Sequence, residues 1–319
     1  MDAERQRRLD IINIIGRDVE LMIDSFVFSC RAKNLSDKTI GFYEEKLKYL
    51  FNFCRLIGKS IHQLEKIDVQ RYIISLCDKG LSPQTINGTI KVWRQFYNFI
   101  NEEKMSDNNP MSDIAELRAE PHVKPVITRE QFFKILSKIT PNTFHGSRNL
   151  AMFMFAWETM ARLSEFTNLE LEDIHLHTKR VSYATFRAEH SKGRRDKIST
   201  FSIKTAQQIV NYINVYRRHL PGSLLFCTAY GRPLERRNVE RIFERAGNKV
   251  GIKRFSPQMV RRSAASIMVE ETGNIRAVQF QLGHKSSRTT ENFYLSCENA
   301  KQFLLTTYEN YSPLFGKKL

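Results

Sequence analysis

Apolar side chains recur every three to four positions through the first third of the chain, which is the spacing of amphipathic α-helices. The clearest stripe follows a Ser-Pro pair at Ser82, a typical helix start because serine caps the first amides and proline fits the first turn. Its members are Ile86, Ile90, Trp93, Tyr97 and Ile100. Similar stripes follow Ser36 and Asp68, and an earlier one spans 17–31. The pattern predicts a four-helix unit that ends near Asn101.

A polar stretch with several prolines separates this unit from the rest of the chain. Residues 102–126 have little apolar periodicity, so they are predicted to be an interdomain linker. Thr128 then begins a Thr-x-x-Gln capping box, a typical start of a helix. The predicted divisions are an N-terminal helical domain over 1–108, a linker over 109–127 and a second domain over 128–319.

The second domain combines helical patterns with one pair of alternating segments. Residues 150–160 are apolar almost all round, as expected of a buried helix, whereas 181–186 and 197–201 are predicted strands joined by a basic turn. Further helices are predicted at 205–218, 238–246, 256–273 and 274–283. The expected fold class is mainly α with a small antiparallel β-sheet.

The net charge indicates what kind of partner the protein binds, and the cysteine spacing indicates in which compartment it resides. The net charge is +16, and between Arg232 and Arg262 ten basic residues stand against three acidic ones. Such a surface binds polyanions by releasing phosphate counterions, although a merely solvated basic surface is the alternative. The five cysteines are widely spaced, which argues against a disulfide framework or a zinc module. With no membrane-length apolar run and no secretory signal, we expect a soluble, cytoplasmic protein.

Five short motifs in the second domain carry candidate chemistry. In chain order they are Ala161-Arg162-Leu163-Ser164-Glu165, Ser191-Lys192-Gly193, Pro257-Gln258-Met259-Val260-Arg261, Leu282-Gly283-His284, and Thr289-Thr290 to Tyr294. Attack on a phosphodiester without a metal needs guanidiniums for the phosphate, a proton donor for the leaving oxygen and a side-chain nucleophile. Taken singly, each residue also fits a structural role. Arg162 can pair with Glu165 beside a buried helix, and Ser164 is a predicted helix cap.

In order and spacing, the motifs resemble those of the tyrosine recombinases, the phage integrase family. The matches are the first arginine motif at Arg162, the β-hairpin lysine at Lys192, the His-x-x-Arg motif at 258–261, the Leu-Gly-His motif at His284 and the nucleophile at Tyr294. The first domain is similar to the family's SAM-like core-binding domain, including 81–86 and the closing Asn109-Pro110. The resemblance extends over 21–294, and it implies an α+β catalytic domain after the helical one.

The resemblance implies a mechanism that needs no metal and no cofactor. Tyr294 would attack the scissile phosphate, forming a 3′-phosphotyrosyl link and freeing a 5′-hydroxyl. Arg162 and Arg261 would hold the non-bridging oxygens, and Lys192 would protonate the leaving oxygen. His284 would hydrogen-bond the phosphate and assist Tyr294. Glu165 would brace the Arg162 region.

The expected partners are double-stranded DNA and the protein itself, as four protomers on two duplexes. The candidate DNA-binding residues are Arg194, Arg195, Lys197, Arg236, Arg237, Arg241, Lys253, Arg254 and Arg262. An apolar set in the tail is expected to pack into a neighbouring protomer or onto its own domain: Phe303, Leu304, Tyr308, Tyr311, Leu314 and Phe315. A prokaryotic, viral or mobile-element origin is expected.

Departures from the family pattern leave alternatives open. Arg262 follows Arg261 where many relatives carry His, and it adds charge beside the site without an obvious chemical role. Gln258 stands where the family has His, and an amide can bond a phosphate oxygen but cannot shuttle a proton. A DNA-binding protein that no longer cuts is therefore one alternative, and a type IB topoisomerase is another. The step from His284 to Tyr294 is one residue longer than the commonest spacing, so Tyr308 and Tyr311 are the fallback nucleophiles.

Overall fold

The computed structural model describes residues 19–120, 124–177, 181–188 and 196–283. The chain divides into two units, Met1–His122 and Val123–Leu319. Within the described ranges, no helix has the length and apolar character that a membrane span requires. The two units are considered separately below.

The first unit is helical wherever it is regular. Its described elements are α1 (19–32), α2 (Asp37–Ile57), a 3₁₀ turn (Ile61–Gln63), α3 (Lys66–Asp78) and α4 (Pro83–Glu102). Ser36 and Ser82 cap α2 and α4 as predicted, because each hydroxyl accepts the amide three residues on, at 3.3 Å. The predicted stripe of α4 is buried in the core of this unit.

Much of the predicted linker packs into the first unit. Met111 and Ile114 are buried in its core, and the Asn87 amide bonds both the N–H and the carbonyl of Leu117, at 2.8 and 2.9 Å. Ile127, at the other end of the linker, is buried in the second unit. The segment between the units is therefore shorter than the predicted 109–127. The sequence did not predict this, because the apolar residues of an irregular segment are not regularly spaced and their burial cannot be recognised from the sequence pattern.

The second unit surrounds a small sheet with helices. Its described elements are α5 (Arg129–Ser137), α6 (Phe144–Thr159), α7 (Leu163–Thr167), a 3₁₀ turn (Leu171–Asp173), β1 (Ile174–His175), β2 (Ser182–Phe186), β3 (Lys197–Phe201), α8 (Ile203–Val215), a 3₁₀ turn (Arg217–His219), α9 (Arg236–Asn248), α10 (Pro257–Thr272) and α11 (Ile275–Leu282). The predicted hairpin is β2 and β3, which pair antiparallel with Ala184 opposite Ser199. β1 is the third strand and pairs antiparallel with β2 at the edge of the sheet. It was not predicted because two residues are too few to show an alternating pattern.

Helix α6 contributes many of the buried residues in the core of this unit. Phe153, Phe155 and Ala156 are buried against the sheet and the other helices. The helix begins at Phe144, earlier than predicted, because the Thr143 hydroxyl caps it by accepting the amide of Gly146 at 3.1 Å. Its far end, where the chain turns into α7, is the start of the candidate site.

Candidate active site

Arg162 and Glu165 form a paired unit at the start of α7. Met160 closes α6 in the left-handed conformation with φ 50°, and Arg162 then takes the N-cap position of α7. The Glu165 carboxylate accepts the Arg162 backbone N–H at 2.8 Å and its guanidinium at 2.6 Å. The predicted ion pair is thus confirmed. The prediction that Ser164 caps this helix is wrong, because Ser164 lies inside α7 and the buried carboxylate does the capping.

Arg261 reaches the same carboxylate from α10. As predicted, Ser256 caps this helix, its hydroxyl accepting the Met259 amide at 3.3 Å. The Arg261 guanidinium donates to the carbonyl of Met160 and, at 2.9 Å, to that of Leu282, and its Nη1 lies 3.9 Å from Glu165 Oε2. Both carbonyls belong to helix C-termini, where the helix dipole favours a cation.

Lys197 is buried beside the Glu165 carboxylate and is not on the surface of the protein. Its Nζ is 3.3 Å from Glu165 Oε2 and 4.7 Å from the centre of the Phe186 ring. The prediction that Lys197 is a DNA-binding residue, like Arg194 and Arg195, is corrected by its burial in the structure. In β3, residues 197, 199 and 201 face inward while 198 and 200 face solvent. The two-residue period of the strand was the signal that should have separated Lys197 from its basic neighbours.

Exposure within the cluster increases outward from the carboxylate. The Glu165 side chain is 0% exposed and that of Lys197 is 4% exposed. The Arg261 side chain is 11% exposed and that of Arg162 is 26% exposed. Within the described residues, one carboxylate therefore faces three basic side chains, and the resulting excess of positive charge is accessible through the arginines. An oxyanion such as a phosphate is the ligand that this charge favours.

Protonation equilibria in the cluster follow from burial and from these neighbours. Burial acts to raise the pKa of Glu165, but Lys197, the Arg162 backbone amide and both guanidiniums outweigh it, so the pKa lies below its usual value. Burial lowers the pKa of Lys197 to about 7, reinforced by the two arginines and opposed by Glu165. Glu165 is thus firmly ionised, whereas the charge of Lys197 depends on its surroundings.

The other described candidates lie on α9, on α10 and on the loop between these helices. Gln258 is exposed on the first turn of α10. Five predicted DNA-binding residues are exposed on α9 and on the loop after it: Arg236, Arg237, Arg241, Lys253 and Arg254. Arg262 is half-buried, and its guanidinium donates to the Pro125 carbonyl at 3.0 Å. Arg262 therefore also supports the segment that enters the second unit.

Several predicted site residues lie outside the described residues. They are Lys192, Arg194, Arg195, His284 and Tyr294, together with the alternative nucleophiles Tyr308 and Tyr311. Within the described ranges, no group of three or more His, Cys, Asp or Glu side chains is arranged to hold a metal ion.

Comparison with known proteins identifies the family. The phage integrase family model matches residues 125–300, and the model of the phage integrase N-terminal SAM-like domain matches 24–104. Tyrosine recombinase XerD of Staphylococcus aureus (strain COL) is 26% identical over 307 residues, covering 92% of this chain and 99% of the relative.

Solved structures agree on the fold. The XerH site-specific recombinase bound to palindromic difH substrate superposes with a TM-score of 0.73 at 17% identity, covering 96% of this chain and 97% of that one. The Tn1549 transposon integrase in complex with circular intermediate DNA gives 0.67 at 19% identity, covering 88% and 97%. The predicted fold class, a SAM-like helical domain followed by an α+β catalytic domain, is confirmed. The chain belongs to the phage integrase family of tyrosine recombinases.

Proposed function

We propose that this chain is a site-specific DNA recombinase that cuts and rejoins strands through a 3′-phosphotyrosyl link to Tyr294. One observation carries the proposal: Arg162 and Arg261, far apart in the sequence, converge on the buried Glu165 carboxylate and leave a surplus of positive charge. The relatives support it, since XerD is a tyrosine recombinase and the XerH and Tn1549 proteins were solved with DNA.

The proposed reaction is a transesterification at one phosphate. The Tyr294 oxygen forms a bond to phosphorus as the bond to the 5′ oxygen breaks, and the proton that this oxygen gains comes from Lys192. Arg162 and Arg261 bind the non-bridging oxygens, whose negative charge grows in the transition state. His284 hydrogen-bonds the phosphate and assists the loss of the Tyr294 proton. Rejoining is the reverse attack by a 5′-hydroxyl.

Double-stranded DNA is the proposed partner. The exposed basic residues on α9 and the loop after it suit contacts to the phosphate backbone, which give affinity and depend on salt. Integration, excision or resolution of a mobile element or replicon, in the cytoplasm of a prokaryotic cell, is the proposed setting.

Self-association is the second proposed partnership. Four protomers would act on two duplexes, with the apolar tail that contains Phe303 and Leu304 packing against a neighbour. A groove of about 340 Å³ in the second unit has apolar lining residues, among them Trp157, Ala264 and Met268, that suit such a segment, beside the charged side chains of Arg129, Glu158 and Glu271.

A substrate nicked close to the cleavage site tests the proposed function. Because the short fragment beyond the nick diffuses away after cleavage, a recombinase accumulates a covalent protein–DNA adduct, visible on a denaturing gel. We expect this adduct, followed by exchange between two target sites. Binding without an adduct would instead identify a DNA-binding protein on the same scaffold. Relaxation of supercoils without exchange would favour a type IB topoisomerase.

Gln258 is the observation that favours the non-cutting alternative, and its replacement tests this. We expect Gln258→His to leave DNA binding unchanged and to preserve or raise the cleavage rate, because imidazole keeps a hydrogen bond to the phosphate and adds proton transfer near neutral pH. Single-turnover cleavage of the nicked substrate measures the effect. A complete loss of cleavage would show that the amide has a specific role that histidine cannot fill.

A further inference from the structure

We propose that Lys197 is a positioning residue of this site: it fixes the Glu165 carboxylate and, through it, holds Arg162 and Arg261 in place for the scissile phosphate. The inference rests on the proposed recombinase function and adds a residue to it.

The contacts of the carboxylate show how Lys197 would act. Oε1 of Glu165 accepts the Arg162 guanidinium at 2.6 Å. Oε2 accepts the Arg162 backbone N–H at 2.8 Å and the Lys197 ammonium at 3.3 Å, and it lies 3.9 Å from Arg261 Nη1. Lys197 therefore supports the oxygen that stands between the two arginines. Without Lys197, the carboxylate keeps only its contacts to the two arginines, and the position of Oε2 relative to Arg261 is less restrained.

Lys197 is too enclosed to contact DNA itself. Its ammonium lies 4.7 Å from the centre of the Phe186 ring, and its side chain is 4% exposed. The aliphatic stem packs on Gly283, where an added Cβ would lie 2.7 Å from Lys197 Cδ. Gly283 has φ 66° and ends α11 directly before His284 in the chain. Lys197 thus contacts both the carboxylate that orients the arginines and the turn that precedes the predicted histidine.

The groups around Lys197 determine whether it carries a positive charge. Burial and the two arginines oppose a positive charge on Lys197, and Glu165 opposes the loss of that charge. A phosphate bound to the arginines adds a second negative charge nearby, which favours the ammonium form further. The titratable and charged groups facing Lys197 in the described structure are Glu165 from α7, Arg162 at the start of that helix, and Arg261 from α10.

Lys197→Met is the first test, because methionine keeps an unbranched stem and removes the charge. We expect cleavage of the nicked substrate to slow about 100-fold, the scale of a small misplacement of catalytic groups, with DNA binding and thermal unfolding near wild type. Lys204→Met, the same change at an exposed position of α8, is the matched control and should cleave normally. A Lys197→Met variant that folds and cleaves at the wild-type rate would overturn the proposal.

A substrate with sulfur in place of the 5′ bridging oxygen separates positioning from proton transfer. A thiolate leaves without a proton, so this substrate rescues a variant that lacks the general acid. We expect Lys197→Met to stay slow on it, and Lys192→Met to recover. Recovery by Lys197→Met would make Lys197 the proton donor and overturn the positioning role. If the wild-type protein forms no adduct on either substrate, the recombinase function fails, which is a different result.

A double-mutant cycle with Glu165→Gln provides the remaining evidence. If Lys197 acts through this carboxylate, the double variant should cleave no more slowly than the slower single variant. Losses that multiply would mean that the two residues act independently, and that result would contradict the proposal.

Discussion

Tyr294→Phe is expected to abolish the covalent adduct while leaving DNA binding intact. Phenylalanine keeps the ring and its packing but has no oxygen to bond to phosphorus, so the loss should be at least about 10³-fold, as for nucleophiles of other covalent enzymes. Adduct formation on the nicked substrate measures it, with binding followed separately on intact DNA.

Two other tyrosines serve as controls for this experiment. Tyr308 and Tyr311 lie beyond residue 300, where the phage integrase family match ends, whereas Tyr294 lies within it. Tyr308→Phe and Tyr311→Phe should therefore form normal amounts of adduct. If Tyr294→Phe still formed the adduct and either Tyr308→Phe or Tyr311→Phe did not, the nucleophile would be that tyrosine of the tail and not Tyr294.

Arg261→Lys is expected to slow cleavage by about 10² to 10³-fold, the usual effect of removing one donor from a developing oxyanion. It should also destabilise the protein by about 1–3 kcal/mol, because unsatisfied buried acceptors are costly. The guanidinium donates to the Met160 and Leu282 carbonyls and, in the proposed mechanism, also to a phosphate, through several N–H groups in a fixed plane. A lysine ammonium cannot replace all of these contacts at once.

Single-turnover cleavage and thermal unfolding measure the two effects of Arg261→Lys. Arg218→Lys, the same exchange at an exposed position of the second unit, should change neither. A near-normal cleavage rate in Arg261→Lys would mean that a single point charge is sufficient, and the proposed role of the Arg261 guanidinium at the non-bridging oxygens would have to be abandoned.

Local features of the fold were predictable because their causes are local. Helix starts at Ser36, Ser82, Thr128 and Ser256 each depend on a hydroxyl that accepts an amide three residues on. The hairpin likewise follows from two alternating segments joined by a polar turn. The Arg162–Glu165 ion pair could be predicted because a charged side chain next to a core requires a partner of opposite charge.

Features that depend on distant contacts were not predictable in the same way. Met111 and Ile114 join the first core although nothing periodic surrounds them. The strand period places Lys197 on the inner face of β3, but the α7 carboxylate that compensates its buried charge is distant in the sequence and is identified only by the structure. The contact between Arg261 and the end of α11 likewise could not be predicted from the sequence and was seen only in the structure.

The hydrogen bonds of Arg261 have a practical consequence for capturing this protein on its target. Its guanidinium connects the end of α6 to the end of α11, so an inactive variant made at this arginine would also weaken the connection between these two helices. If Tyr294 is the nucleophile as proposed, Tyr294→Phe is therefore a better variant than one at Arg261 for capturing an uncleaved complex with DNA.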